Sequence, residues 1–168
     1  MRKKQKISKV KRIGTCLVAC IMIAAMTITS VPLFQTEVRA AGVSNPWDGS
    51  SREVPETDED GTYLIHNGAQ LAWFADQVNQ GKGSLNAVLC NDISLGGKYW
   101  TPIGKSADKT FSGTFDGQGH VIRGLYQDVE SDFTGLFGAV RGAGASVSHL
   151  TVSGNIKLGG RVTYVAGI

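Results

Sequence analysis

Short apolar groups separated by glycine and turn residues fill the second half of the chain. Each group is shorter than the apolar stripe of a helix, and a glycine or an Asn-Asp pair follows most of them. Short strands that end at tight corners produce this pattern. Residues 89–168 are therefore predicted to form stacked coils of about 20 to 30 residues each. A single coil cannot close a core alone, so several must stack.

Apolar residues alternate with glycine and turn residues along residues 113–138. The two kinds of residue are predicted to lie in the core and at the corners of the coils, respectively. The interior set is predicted to line the core or its immediate seams: Phe115, Val121, Ile122, Leu125, Leu136 and Phe137. The corner set is predicted to form structural turns: Gly113, Asp116, Gly117, Gly119, Gly135 and Gly138. In particular, the pairs at 116–117 and 118–119 are expected to supply the positive φ values that tight turns demand.

One helix is predicted, over residues 67 to about 79. Asn67 and Gln70 have the spacing of a capping box, and Gly81 is placed to end the helix in a left-handed conformation. An apolar stripe with helical spacing predicts the buried face: Leu71, Phe74, Ala75 and Val78. Trp73 lies beside the stripe, and a sugar-stacking platform is the alternative to a core position for this aromatic residue.

The motifs of this half resemble a known family. GTFDGQGHVIRGL at 113–125, followed by GLFG at 135–138, resembles the GLUG-motif repeats of Gram-positive-type bacterial surface and secreted proteins. The segments at 47–49, 63–81 and 91–104 resemble the lead-in that precedes such repeats. The resemblance implies an all-β solenoid, a right-handed parallel β-helix. The predicted α-helix is expected to cap its N-terminal end, where the first coil would otherwise expose apolar surface and unpaired strand edges. The resemblance also implies an extracellular location and transfers no activity to any residue.

Four segments are predicted along the chain. They are a signal peptide (1–40), a linker or extended arm (41–62), a capping strand and helix (63–88), and GLUG-type repeats (89–168). VAGI at 165–168 is similar to the opening of a further repeat. Because the repeat breaks off there, the chain is expected to be a fragment of a larger protein.

The N-terminal segment has the pattern of an export signal. Seven Lys and Arg residues lie within the first twelve positions, and an apolar run from 13 to 34 follows. Small residues at Val38 and Ala40 predict signal peptidase cleavage between Ala40 and Ala41. An uncleaved membrane anchor and a lipoprotein box that ends at Cys20 are the alternatives. The product is expected to be secreted or on the cell surface, with the membrane involved only through the signal peptide before cleavage.

Removal of this leader reverses the charge of the chain. The full sequence has 17 basic and 14 acidic residues, but eight of the basic residues and one acidic residue precede Ala41. The mature part therefore carries nine basic and 13 acidic residues, a net charge of −4. Nucleic acid is therefore excluded as a predicted partner, since the mature part is acidic and has no cluster of basic residues to bind phosphates. Cleavage would also leave Cys90 as the sole cysteine, with no internal disulfide possible.

No catalytic, cofactor-binding or metal-binding residue is predicted. The three histidines, His66, His120 and His149, are far apart in sequence and lack HExxH spacing. His120 is expected to be an exposed side chain near Asp116. The acidic run at 58–61 lacks the later ligands of an EF-type calcium loop.

Three aspartates are the candidates for glycan chemistry. Asp92, Asp116 and Asp128 would form an acid and base pair if adjacent coils stacked them across a groove. Asp92 and Asp116 occupy turn sequences, where a short carboxylate accepts backbone hydrogen bonds, and this structural role is the favoured interpretation.

The sequence therefore predicts a structural or adhesive surface segment that presents side chains to extracellular glycans or to host or cell-surface proteins. It is not expected to be an enzyme and needs no cofactor. The alternative is the non-catalytic N-terminal region of a surface enzyme, either a glycan-active β-helix or an IgA1-type metallopeptidase.

Overall fold

The structure, a computed structural model, describes residues 45–129 and 132–158. All of them belong to one compact unit, Thr36–Ile168. The predicted signal peptide, the cleavage site at Ala40 and the last repeat at 165–168 lie outside the described residues. Within the described ranges, no helix has both the length and the apolar character needed to cross a membrane.

Eight strands and one helix are formed by the described residues. In chain order they are β1 (Glu56–Thr57), β2 (Tyr63–Ile65), α1 (Gly68–Asn79), β3 (Ala87–Leu89), β4 (Ile93–Ser94), β5 (Thr114–Asp116), β6 (Val121–Val129), β7 (Ser146–Ser148) and β8 (Thr151–Leu158).

These strands make two sheets, between which the chain passes repeatedly. The first has five strands in the order β1-β2-β3-β5-β7, and the second has three in the order β4-β6-β8. β1 is antiparallel to β2, whereas β2, β3, β5 and β7 are parallel to one another. The second sheet is parallel throughout, and β6 and β8 pair over most of their length. Successive segments therefore lie in register beside each other.

The predicted helix is confirmed, and its capping follows the sequence pattern. Asn67 is the N-cap, and its side-chain oxygen accepts a hydrogen bond from the Gln70 amide at 2.9 Å. The Gln70 side chain accepts from the His66 amide at 2.7 Å. Gly81 has a φ of 105° just beyond the last turn. The capping contacts fix both the start of the helix and the path of the chain out of β2.

The predicted fold class is wrong. An all-β solenoid of the β-helix type was expected, with the helix capping it, but the structure has a mixed five-stranded sheet, a parallel three-stranded sheet and one short helix. α1 lies between β2 and β3, which pair in parallel, so the helix is a crossover connection rather than a cap. β1 adds an antiparallel strand from the arm. Local turn and strand signals did not specify these pairings, which depend on contacts distant in sequence.

Aromatic and aliphatic side chains fill the core between the sheets and α1. Phe115, Ile122, Leu125, Leu136 and Phe137 are all 5% exposed or less. Phe137 contacts both Phe111 and Phe115, with ring centroids 5.2 Å apart in each case. Val121 is only half-buried, because alternation along β6 directs the next side chain, Ile122, inward.

The corner glycines serve two different physical purposes. Gly119 and Gly135 have φ values of 82° and 112°, as the turn prediction required. Gly113, Gly117 and Gly138 have no positive φ, so the expectation of positive φ at 116–117 is wrong. These three instead allow another backbone to pass closely. An added Cβ at Gly117 would lie 2.5 Å from the carbonyl oxygen of His149.

Candidate functional site

All three histidines lie at one corner of the molecule, where the five-stranded sheet passes to the three-stranded sheet. Parallel strands place equivalent ends at one edge, and backbone hydrogen bonds join these ends between segments. The Cys90 amide donates to Ile65, and the Gly119 amide to His149, each at 2.8 Å. The Asn91 side chain donates to the carbonyl oxygen of His66 at 3.2 Å. We call residues 66, 90–92, 116–120, 123 and 149 the histidine corner.

Asp92 is the most heavily bonded group of this corner. Its Oδ1 accepts from the Val121 amide at 3.1 Å and lies 3.2 Å from Nδ1 of His120. Its Oδ2 accepts from Nη1 of Arg123 at 3.0 Å. The Val121 amide lowers the pKa of Asp92, with further lowering from Arg123 and His120, while partial burial opposes the shift. Asp92 is thus held as a carboxylate that ties β4 to β6.

Asp116, at the end of β5, makes contacts similar to those of Asp92: its carboxylate accepts from a backbone amide and lies beside a histidine ring. Its Oδ1 accepts from the Gln118 amide at 2.9 Å and lies 3.0 Å from Nδ1 of His149. His120 was expected near Asp116; its Nδ1 contacts Asp92, and the histidine whose Nδ1 contacts Asp116 is His149. The third candidate, Asp128, lies near the far end of β6, where it accepts from the Tyr126 hydroxyl at 3.4 Å.

The two Asp–His pairs share one chemical feature. In each, the carboxylate contacts Nδ1, which is the orienting contact of a general base, and leaves Nε2 without a hydrogen bond among the described residues. Within the same ranges, no three His, Cys, Asp or Glu side chains are grouped to hold a metal ion. The corner therefore provides two oriented imidazoles, and its hydrogen bonds account for the placement of both carboxylates.

Cys90 belongs to the same corner. Its side chain is partly buried, at the turn that follows β3. The prediction that Cys90 has no disulfide concerns the chain cleaved after Ala40.

A second site lies between the arm, α1 and the turn before Trp100. Here a pocket of about 190 Å³ is lined by the arm residues Trp47 and Arg52, by Asp76 of α1, and by Tyr99 and Trp100. We call it the arm pocket. Trp47 and Trp100 form its inner wall, with ring centroids 5.7 Å apart in an edge-to-face arrangement. Both indole N–H groups donate to backbone carbonyls, at Ser51 and Leu136, so these rings contribute apolar surface.

A tight turn holds the arm in place. Oδ1 of Asp48 accepts hydrogen bonds from the amides of Ser50 and Ser51, each at 2.7 Å. The Ser51 and Ser50 amides lower the pKa of Asp48 to about 2. The Trp47 amide also donates to the carbonyl oxygen of Ser94 at 2.9 Å. The arm pocket is therefore formed before any ligand arrives.

The polar wall of the arm pocket is an ion pair. Nε of Arg52 lies 2.6 Å from Oδ2 of Asp76, and Nη1 donates to the carbonyl oxygens of Ser50 and Ser51. The guanidinium also lies 5.4 Å from the centroid of the Trp47 ring. Oδ1 of Asp76 and Nη2 of Arg52 have no hydrogen-bond partner within residues 45–129 and 132–158. The ion pair thus keeps one acceptor atom of Asp76 and one donor group of Arg52 available to a ligand.

No family model, curated protein or solved structure matches this chain. The GLUG-like motifs therefore remain a resemblance, and the site must be interpreted from its own geometry.

Sequence reasoning missed the arm pocket. Arg52 and Asp76 are 24 positions apart and meet only because α1 packs beside the arm. The available signal was the short segment from Trp47 to Arg52, in which an aromatic and a basic residue flank a turn motif.

Proposed function

We propose that the chain is a secreted or cell-surface segment of a larger protein, with a structural or adhesive role in which it presents side chains to extracellular ligands. The ligands are glycans or cell-surface proteins. The GLUG-like motifs and the leader sequence support the location, and the strand register supports the presentation of side chains.

The observation that carries this proposal is the register of β6 and β8. Tyr126 pairs with Asn155, and Asp128 pairs with Lys157, so outward side chains form rows across the sheet. Lys157 lies over the Tyr126 ring, 5.9 Å from its centroid. Asp128, Asn155 and Lys157 are exposed. An aromatic ring and charged groups of both signs on one face can stack on an extracellular ligand and form hydrogen bonds with it.

A second candidate is the N-terminal region of a surface enzyme that acts on glycans or proteins. The oriented Asp92–His120 pair favours it, because an imidazole held through Nδ1 can accept a proton at Nε2. Cleavage of an extracellular polysaccharide by the exported chain, lost in His120→Ala and retained in His66→Ala, would establish this function instead.

The proposed function is tested by expression of the full chain in a Gram-positive host. We expect a product that begins at Ala41 and is recovered from the medium or the cell wall. Ala40→Leu should keep the uncleaved chain with the cells, whereas Gly42→Ala should not. The exported product should then bind saturably to intact cells or to immobilised extracellular polysaccharide. A full-length cytoplasmic product, or an exported product that binds neither, contradicts the proposal.

A further inference from the structure

We propose that the arm pocket binds one neutral pyranose ring, as the terminal or branch sugar of an extracellular glycan. The inference rests on the proposed function, because it names the class of extracellular ligand that such a surface segment would bind. The size of the pocket, its aromatic wall and its ion pair all suit this ligand.

The size of the arm pocket suits a single ring. A cavity of about 150 Å³ accommodates one benzene molecule. The arm pocket has about 190 Å³, which leaves room for a six-membered ring with substituents. Since the pocket opens to solvent beside Tyr99, a bound ring can continue into a longer chain outside.

Tyr99 provides the stacking surface. It is 52% exposed, unusual for an aromatic side chain, while Trp47 and Trp100 behind it are buried. The face of a pyranose that bears axial C–H bonds is apolar, and these hydrogens are attracted to the negative face of an aromatic ring. The Tyr99 backbone is held on both sides, since the Trp100 amide donates to Tyr126 at 2.9 Å and the Lys98 amide to Leu95 at 3.1 Å. The backbone position of Tyr99 at the pocket is therefore fixed.

The ion pair provides recognition of hydroxyl groups. Neighbouring ring hydroxyls can donate to Oδ1 of Asp76 and accept from Nη2 of Arg52, the two atoms that lack partners among the described residues. Such charge-assisted hydrogen bonds are stronger than those between neutral groups. Because Arg52 and Asp76 neutralise each other at 2.6 Å, the pocket favours a neutral sugar over an acidic one.

The inference is tested with the exported product of the full chain and a panel of methyl glycosides. The panel contains the glucoside, galactoside, mannoside and N-acetylglucosaminide, with methyl glucuronoside as the acidic comparison. Saturation-transfer NMR detects binding, and a titration gives the Kd. Tyr99→Ala removes the stacking surface and should raise the Kd about tenfold. Val54→Ala is the control, since Val54 is an exposed apolar side chain of the same arm that does not line the pocket.

Binding of a neutral glycoside that weakens in Tyr99→Ala and in Asp76→Asn, but changes less than about twofold in Val54→Ala, supports the inference. The inference is overturned if no neutral glycoside binds, if the glucuronoside binds best, or if Val54→Ala has the larger effect. Export and cell binding are measured on the same samples. If export and cell binding are retained but no glycoside binds, the inference is overturned and the proposed function stands. If the exported protein binds neither cells nor polysaccharide, the proposed function is overturned, whatever the result with the glycosides.

Discussion

Replacement of Gly117 by alanine tests the close pass between two neighbouring segments. Gly117 has no positive φ, so alanine does not strain its own backbone. The added Cβ would lie 2.5 Å from the carbonyl oxygen of His149 and 2.8 Å from Cα of Leu150. Both are backbone atoms, which cannot rotate away as a flexible side chain would. The segments must therefore separate.

The cost can be worked out from the contacts that separation would disturb. Overpacking of a tight interior contact costs about 1 to 3 kcal/mol. The amides of Gly117 and Gly119 donate to Ser148 and His149, each at 2.8 Å, and each weakened hydrogen bond adds up to about 1 kcal/mol. Alanine lowers the entropy of the unfolded chain, which returns about 0.4 to 1 kcal/mol. We expect Gly117→Ala to lower the free energy of unfolding by about 2 to 3 kcal/mol.

The assay is urea unfolding of the exported product, followed by tryptophan fluorescence. Gly144→Ala is the matched control, because Gly144 has no positive φ and an added Cβ meets nothing within 4 Å. That variant should change the free energy of unfolding by less than about 0.5 kcal/mol or stabilise the fold slightly. Equal stability of the two variants would refute the close approach of residues 117 and 149–150, and with it the register of β5 and β7.

Two further predictions concern buried and charged polar groups. Because the pKa of Asp92 is lowered in the folded state, its contribution to stability is present above the unfolded pKa of about 3.9 and is lost as the pH falls through the lower folded value. The difference in Tm between wild type and Asp92→Asn should therefore shrink on acidification below about pH 4, and a constant difference would contradict this origin. Gln127 is fully buried, where its side chain accepts from the Gly135 amide at 2.7 Å and donates to the carbonyl oxygens of Trp100 and Gly135. Gln127→Leu leaves these backbone groups without hydrogen bonds, and we expect it to lower the free energy of unfolding in urea by about 2 to 5 kcal/mol. The control Gln80→Leu, at an exposed position, should lower it by less than about 0.5 kcal/mol. Similar values for the two variants would argue against the buried network.

The helix could be predicted from sequence because its signals are local. Asn67 and Gln70 cap its start, Gly81 ends it, and four apolar residues at helical spacing mark its buried face. The same applies to Gly119, whose φ of 82° follows from the residue type, whereas the φ of 50° at Gln118 is imposed by the turn. Elements whose determinants lie within one turn or one helix are specified by neighbouring residues.

The sheet order and both sites depend on contacts between distant segments. His120 is close in sequence to Asp116, but strand register places its Nδ1 in contact with Asp92, 28 positions away. A positive φ was expected at Gly117, but glycine is needed there because the backbone of another segment passes too close for a Cβ atom. Arg52 and Asp76 meet only through the packing of α1 against the arm. No local pattern encodes such pairings.

The most direct test of the account is binding of the exported, intact product to an array of extracellular glycans, with free methyl glycosides as competitors. The account predicts saturable binding to glycans that end in a neutral pyranose, and release of the protein when the matching free glycoside is added. An exported and folded product that no glycan on the array retains, and that does not bind intact cells either, would contradict the account.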